Sequence, residues 1–197
     1  MKRALLAALS VLSLHGTAAF AQAGPPRPVQ GTVTAATDAS LTITKADGQS
    51  ETVALLPGRT INVTAPVAVD QIAPGSYVAT ANMTQADGTG VSQELRVYPP
   101  GSPAFNVNRP MDASGQLIMT NGTVNTVVKS DGGRVLTVNY GSGTRQILVK
   151  PELQVILVNP GTPDMVKPGV KLSVATFRFA PDAPPRQIIT IAKADLK

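Results

Sequence analysis

The sequence predicts an all-β protein made of two tandem small OB-like β-barrel modules after an N-terminal signal peptide. Three observations predict this fold. Short stretches of alternating apolar and polar residues lie between Gly-containing turns, helical periodicity is almost absent, and the pattern of the first half recurs in the second. A pair of β-sandwich domains is the alternative, because strand count does not separate sandwiches from barrels.

The first 21 residues have the pattern of a secretory signal peptide. Lys2 and Arg3 form a short basic start, residues 4–18 are mostly apolar, and Ala19-Phe20-Ala21 fits a small-x-small cleavage site before Gln22. The apolar stretch is shorter than the roughly 20 residues that span a bilayer. A short membrane-anchoring helix is the alternative. We therefore expect a periplasmic protein, with secretion beyond the outer membrane as the second possibility.

An internal repeat divides the rest of the chain. Gly-Thr-Val occurs at residues 31–33 and again at 122–124, and the pattern Asp-x-(Ile/Val)-x-Pro-Gly occurs at 70–75 and again at 164–169. The two motifs keep their order and nearly the same separation in both copies, so coincidence explains them poorly.

The repeat sets the predicted domain boundaries. Residues 22–28 form a Pro-rich lead-in, and residues 29–98 and 118–194 form the two β-barrel modules. Residues 99–117 are a Pro-rich linker, in which Phe105 and Met111 suggest that part of the segment packs against the modules.

Each copy contains a similar series of predicted strands. Gly-containing turns separate the first two strands of each copy, because glycine adopts the positive φ that tight hairpins need. A short helical turn precedes each Pro-Gly turn. The predicted strands are 41–44, 52–55, 76–82 and 91–98 in the first copy and 135–138, 146–149, 171–177 and 187–192 in the second, and the predicted helical turns are 67–72 and 163–166.

Composition removes several kinds of active site. The chain has no Cys and no Trp, and its one His, His15, leaves with the signal peptide. Zinc, copper and haem sites and Ser-His-Asp catalysis need side chains that the mature chain lacks. We therefore predict no metal, no cofactor and no catalytic residue. The formal net charge of +5 falls to +3 without Lys2 and Arg3. The sequence has no cluster of Lys or Arg, so we do not expect a nucleic-acid partner.

Carboxylates and aromatic side chains are the remaining candidates for chemistry. Asp47, Asp87 and Asp131 each precede Gly and are typical of turns, whereas Asp70 and Asp164 occupy matching positions of the repeat. Each group is better explained by a structural role than by a single active site. The six aromatic residues of the mature chain include Tyr77 and the Phe177/Phe179 pair, for which we expect core packing.

The linker and its exit hold the residues that we select as a binding site. Arg109 and Asp112 are close enough in sequence to form an ion pair, and Asn121 is placed to cap or turn the entry to the second module. The alternative is that these three residues only lock the two barrels together.

The same stretch carries a resemblance to known proteins. The repeated turns together with Tyr98-Pro99-Pro100, residues 109–112 and Met119-Thr120-Asn121-Gly122-Thr123-Val124 resemble the bacterial domains of unknown function of the DUF5666 type. They are more similar still to two-copy exported proteobacterial proteins often labelled metal ABC transporter permease. Met111 stands where that pattern has Trp, and the Glu and His of its linker are absent here. The permease label implies several membrane-spanning helices, which the sequence does not predict.

These observations favour a non-enzymatic periplasmic module that binds a ligand or a protein. Its partner would be an unknown protein or small molecule of the cell envelope, and the mature chain has no predicted transmembrane segment. Two alternatives stay open. One is a carboxylate-dependent hydrolase acting on glycans, which needs two carboxylates in one cleft. The other is an OB-type binder of oligonucleotides or oligosaccharides, which needs exposed aromatic residues beside Lys or Arg.

Overall fold

The computed structural model describes residues 28–102, 105–178 and 182–196 and confirms the all-β prediction. The predicted signal peptide and all of the lead-in but residue 28 lie outside this part of the chain. The strands are β1 (Val29–Ala36), β2 (Ser40–Thr44), β3 (Ser50–Ala54), β4 (Thr60–Val67), β5 (Tyr77–Thr84), β6 (Gly90–Tyr98), β7 (Val107–Pro110), β8 (Leu117–Ser130), β9 (Gly133–Asn139), β10 (Thr144–Val149), β11 (Val155–Pro160), β12 (Lys171–Phe177) and β13 (Arg186–Ala192).

Five strands close into a mixed β-barrel in the order β10-β9-β8-β5-β6. The neighbours in this order are antiparallel, and the barrel closes where β10 pairs with β6 in parallel. That closing contact is short, since it joins only Gly90 to Ile147 and Val91 to Leu148. The barrel interior is filled by fully buried aliphatic side chains such as Leu95, Leu136 and Val138.

The other strands continue the same sheet outside the barrel. β11 pairs in parallel with β6 and antiparallel with β4, and the sheet then runs from β4 through β13, β12, β1 and β2 to β3. These outer strands enclose a second apolar core, which includes Leu41, Ile43, Ile189 and Ile191. The β4–β11 pair is therefore the connection between two separately packed halves.

The two copies of the sequence repeat exchange strands. β1 of the first copy pairs with β12 of the second copy, and β5 of the first copy pairs with β8 of the second. The repeated motifs make the same exchange in both directions. The amide of Gly75 donates to the carbonyl of Val124 and the amide of Gly169 donates to the carbonyl of Val33, each over 2.8 Å.

This exchange changes how the predicted segments relate to the packed cores. Residues 29–98 and 118–194 each contribute to both cores, so the boundary at 99–117 divides the sequence repeat and does not divide the cores. The predicted linker itself contains β7, which pairs with β8, and its Phe105 amide donates to the Tyr77 hydroxyl over 2.8 Å. Burial raises the pKa of Tyr77, and the hydrogen bond from Phe105 acts in the opposite direction.

The repeated Gly-Thr-Val motifs sit at matching β-bulges. The register shifts between Val33 and Ala35 where β1 meets β2, and between Val124 and Thr126 where β8 meets β9. The Gly of each motif allows close backbone approach. A Cβ atom at Gly31 would lie 2.2 Å from the Thr44 carbonyl oxygen, and one at Gly122 would lie 2.1 Å from that of Asn139. Only glycine fits such positions.

All eight predicted strands overlap observed ones, and the two predicted helical turns contain the 3-10 helices Val69–Gln71 and Pro163–Met165. The prediction omits β1, β4, β7, β8 and β11. Within the residues that the structure describes, no helix has the length and apolar character needed to cross a bilayer.

Tyr77 is buried as expected, Phe177 is half-buried, and Phe179 lies outside the described residues.

Candidate ligand-binding pocket

The barrel interior changes from apolar to polar towards one end. Side chains alternate between the two faces of a strand, so every second residue of a barrel strand points inward. On β5 the inward row runs Val78, Thr80, Asn82, and all three are buried. On β10 it runs from the buried Val149 and Ile147 to the half-buried Arg145. The polar ends of both rows meet at the same barrel opening.

Asn82 is the buried centre of the polar cluster. It is fully buried, and its amide nitrogen donates to the Ile118 carbonyl over 3.0 Å and to the Thr120 hydroxyl over 3.1 Å. Thr120 in turn donates to the Asn108 side-chain oxygen of β7 over 2.8 Å. Because every link is a hydrogen bond between neutral groups, burial here leaves no unpaired charge.

Arg145 closes the cluster at the barrel opening. Its Nε donates to the Asn82 side-chain oxygen over 2.9 Å and its Nη2 donates to the Thr84 hydroxyl over 2.8 Å. Burial lowers the pKa of Arg145, and the nearby Tyr140 acts in the opposite direction. Arg145 forms no ion pair with any carboxylate in the part of the chain that the structure describes. Its charge is therefore held by neutral oxygens alone.

The absence of a side chain at Gly90 makes room for this arrangement. A Cβ atom at Gly90 would lie 2.2 Å from the Asn82 side-chain oxygen and 3.2 Å from the Arg145 Nε. Gly90 is also one of the residues through which β6 pairs with β10. Closure of the barrel and seating of Arg145 therefore depend on the same glycine.

Outside this cluster lies a polar cavity of about 230 Å³, which we call the Arg145 pocket. It opens between the start of β10, the β5–β6 turn and β7. Tyr140 contributes the aromatic part of its wall, and the other side chains used below are polar. The lining includes Asp87, Asn108, Tyr140, Thr144, Arg145 and Gln146.

The pocket contains one carboxylate, that of Asp87, and this group already has a structural bond. Its Oδ1 accepts the Thr89 amide over 2.9 Å, and Asp47 makes the same contact with the Gln49 amide, as expected of turn residues. No group of three metal-binding side chains occurs among the described residues. The pocket therefore offers one cation, one anion and several neutral hydrogen-bonding groups.

The other half of the molecule does not repeat the pocket. Arg145 pairs across the sheet with Val138, and at the matching place in the first copy Glu51 pairs with Ile43. Glu51 accepts a salt bridge of 3.1 Å from Lys45 on the surface. One copy thus carries an inward arginine where the other carries an outer ion pair.

Of the three residues selected from the sequence, Asn121 lines a cavity. It lies on β8 in a groove of about 260 Å³ together with Met111, Met119 and Tyr98. Its side-chain oxygen is buried without a hydrogen bond, and its amide nitrogen lies 3.8 Å from the Met119 sulfur. Asn121 is therefore a residue of this groove and does not reach the Arg145 pocket.

Arg109 and Asp112 do not come together. Arg109 is exposed on β7 opposite Met119, and Asp112 lies in the following turn, where it accepts the Ser114 hydroxyl over 2.8 Å. No ion pair joins the two among the described residues. Arg109 pairs with Met119 and Val107 pairs with Asn121, so Arg109 and Asn121 lie on the same face of the β7–β8 ladder, whereas Asp112 lies in the turn beyond it. The role of the three residues in binding stays a prediction.

Neither Arg145 nor Asn108 is among the binding residues predicted from the sequence. A signal for Arg145 is present, because a charged residue begins the inward row that continues with the apolar Ile147 and Val149. Asn108 lies beside the selected Arg109, and the two-residue period of a strand directs these neighbours to opposite faces. The missing information is the pairing of β5 with β8 and of β10 with β6, which joins distant segments.

No protein-family model, curated protein or solved structure matches this chain. The resemblance noted from the sequence therefore stays a prediction.

Proposed function

We propose that this protein is a non-enzymatic, exported binding module and that the Arg145 pocket is its ligand site. One observation carries the proposal: a half-buried guanidinium lines the pocket without a carboxylate partner. We propose the periplasm as its location, on the basis of the signal-peptide pattern of residues 1–21.

The bonding of Arg145 supports a ligand role beyond that of a structural plug. A guanidinium has five N–H donors, and the two hydrogen bonds to Asn82 and Thr84 leave three for other partners. Buried or half-buried charges in proteins are normally paired, because desolvation disfavours a lone charge. An anionic group in the pocket would provide that pairing.

The carboxylates of the pocket favour binding over glycan hydrolysis. Glycosidases use two carboxyl groups on either side of the scissile bond. Asp87 provides the one carboxylate that lines the Arg145 pocket, and one of its two oxygens already accepts a hydrogen bond from the Thr89 amide. A hydrolase would need its second carboxylate elsewhere.

We propose that the barrel and the outer half are both OB-like and descend from one duplicated module, as the matching bulges and Pro-Gly turns suggest. OB-type barrels often bind oligonucleotides or oligosaccharides. The position of Tyr140 beside Arg145 in the pocket favours this as the second candidate function.

A thermal-shift comparison of the mature chain from Gln22 tests the proposal. The panel contains phosphate, carboxylic acids, sugars, sugar acids and short oligonucleotides, each applied to the wild type and to Arg145→Gln. A ligand at a hundredfold excess over its Kd stabilises the protein by about 2.7 kcal/mol, which raises the melting temperature by several degrees. We expect at least one ligand to act on the wild type and to lose its effect on the variant. A flat panel, or a shift that Arg145→Gln leaves unchanged, would contradict this site.

A further inference from the structure

We propose that the Arg145 pocket binds a single sugar residue that carries one carboxylate. This inference rests on the proposed function and names the class of ligand. A free sugar acid and a uronic acid residue within a polysaccharide share this chemistry, and the experiment below separates them.

The orientation of Arg145 favours a carboxylate. Its Nε and Nη2 already bind Asn82 and Thr84, so one side of the planar guanidinium is fixed against β5. The Nη1 group and the second Nη2 hydrogen remain at the other side, and two parallel N–H donors are the geometry that binds a carboxylate in bidentate fashion. The anchored side restricts rotation of the group, so little further ordering is needed on binding.

The other side chains favour hydroxyl groups around that carboxylate. Asn108 and Gln146 present amides that both donate and accept, Thr144 presents a hydroxyl, and Asp87 presents an acceptor. A sugar hydroxyl also both donates and accepts, so it can bond to any of them. A sugar acid can place its carboxylate against Arg145 and a neutral hydroxyl against Asp87, whereas a compact anion such as phosphate brings its charge close to both, and a like charge beside Asp87 is unfavourable.

Tyr140 gives the pocket a flat wall. A Cβ atom at Gly143 would lie 2.7 Å from the Tyr140 hydroxyl, so the hydroxyl end of the ring packs against this glycine of the β9–β10 turn. A tyrosine combines an apolar ring face with a polar tip, and the C–H face of a sugar ring can pack against such a face. The cavity of about 230 Å³ is below the roughly 300 Å³ at which pockets for drug-sized ligands begin, which fits one sugar residue.

An oligonucleotide fits the pocket less well. Binding of single strands relies on several aromatic platforms along a basic groove. Tyr140 is the aromatic residue that lines this pocket, and the charge of Arg145 is accompanied by that of Asp87. We therefore treat nucleic-acid binding as an outcome that would overturn the inference.

Calorimetric and NMR titrations of the mature chain test the inference. The probes are the methyl glycosides of D-galacturonate and D-glucuronate, their neutral galactose and glucose counterparts, sodium acetate, and a trimer of galacturonate. We expect at least one uronate glycoside to bind at least tenfold more tightly than its neutral counterpart and than acetate. Binding of the monomer glycoside supports a pocket for one residue, and a trimer that binds more tightly still identifies a polysaccharide as the source.

Three variants link the binding to the pocket. Arg145→Gln is expected to weaken the uronate tenfold or more, and Tyr140→Ala, which does not disturb the Asn82 cluster, is expected to weaken the uronate but not acetate. Arg96→Gln is the control for the loss of one positive charge, since Arg96 is exposed and paired with Glu94 over 2.6 Å outside the pocket. If Arg145→Gln fails to fold, Tyr140→Ala still tests the site.

The outcomes separate this inference from the proposed function. Equal binding of neutral and acidic glycosides would overturn the requirement for a carboxylate and leave a binding module. If acetate and uronate bind equally tightly and Tyr140→Ala changes neither affinity, the claim that the ligand contains a sugar ring would be overturned. Salt-dependent binding of an oligothymidine with no response to any glycoside would overturn both parts of the ligand class. If no probe binds and the broader panel is also flat, the proposed function fails with it.

Discussion

At the scale of single residues, the Arg145 pocket depends on a glycine that does not itself line the pocket. Gly90 leaves space for the Asn82 side chain, and Asn82 in turn holds Arg145. Asn82 is fully buried and bonded through both its nitrogen and its oxygen. It therefore cannot move aside without giving up hydrogen bonds on which the position of Arg145 depends.

We predict that Gly90→Ala destabilises the protein by about 1–3 kcal/mol, the usual cost of forcing an extra group into a packed interior. Chemical denaturation measures this cost, and ligand titration measures the accompanying loss of binding. Gly132→Ala is the control, because a Cβ atom there would meet the nearest Leu148 carbon at an ordinary 3.7 Å. Equal stability of the two variants would show that Asn82 can relocate freely.

The residue scale also shows what the sequence could predict about the site. The sequence predicted a binding site at the linker, and the linker does supply Asn108 to the pocket. It did not direct attention to Arg145, because an arginine at the start of a short strand resembles any surface residue until the strand is known to close a barrel. The partners Asn82 and Thr84 lie more than sixty residues earlier in the chain.

At the scale of elements, β10 pairs with β6 to close the barrel, whereas within the described residues β3 does not make the corresponding pairing with β13. β6 begins with Gly90, whose backbone pairs with β10, whereas Pro184 and Pro185 precede β13 at the matching place. The strand pairs show which positions are equivalent. Met83 pairs with Val91 in the barrel, and Phe177 pairs with Arg186 in the outer half, so Pro185 stands where the barrel has Gly90. A proline has no backbone N–H to donate, so the second closure cannot form in the same way.

A buried glutamine makes the missing connection in the outer half. Gln187 donates to the Ala54 carbonyl over 3.0 Å and accepts the Leu56 amide over 3.0 Å, at the end of β3. It also donates to the Thr176 hydroxyl over 3.2 Å and is almost completely buried. One side chain thus satisfies backbone groups that strand pairing would otherwise satisfy.

We predict that Gln187→Met destabilises the protein by about 1–3 kcal/mol, because the methionine fills the space but leaves the Leu56 amide and Ala54 carbonyl unpaired. Denaturation gives the free energy, and hydrogen exchange of the β3 amides should rise. The control is Gln93→Met, since Gln93 is exposed and its side chain donates only to the nearby Val91 carbonyl. Unchanged protection of β3 in Gln187→Met would argue against the bridging role.

Eight of the thirteen strands were predicted, and the omission of β4 and β11 has a physical explanation. Alternation of apolar and polar residues marks β2, β5 and β12 clearly. β4 and β11 end in or contain proline and lie between the better-marked hairpins and the Pro-Gly turns. Ile61 and Val63 do alternate with polar residues in β4, and this signal was available.

At the scale of the whole molecule, the exchange of strands between the repeat copies is the main departure from the predicted tandem arrangement. The repeat itself was visible in the sequence, but which copy pairs with which was not. Strand pairing within a copy and strand exchange between copies bury the same residues, because equivalent positions carry equivalent side chains. The pairing of β1 with β12 and of β5 with β8 was therefore beyond any local pattern.

We predict that cutting the connection after β6 leaves the molecule in one piece. A protease site inserted after the exposed Gly101 allows cleavage of the folded chain. The fragments should elute together in native size-exclusion chromatography and separate only in denaturant, because both cores contain strands from each fragment. Uncut protein carrying the same insertion is the control. Two separate folded species after cleavage would contradict the exchanged arrangement.

The same exchange fixes the order in which the protein can finish folding as it is synthesised. The five barrel strands are complete once residue 149 has emerged, and Val155 at the start of β11 completes the barrel core shortly afterwards. β1 to β3 emerge first of all, yet they must wait for β12 and β13 before their own core can form. Contacts between such distant segments form slowly. For most of its synthesis the chain therefore carries its earliest apolar strands without their partners, and the last twenty-odd residues act as the closing step.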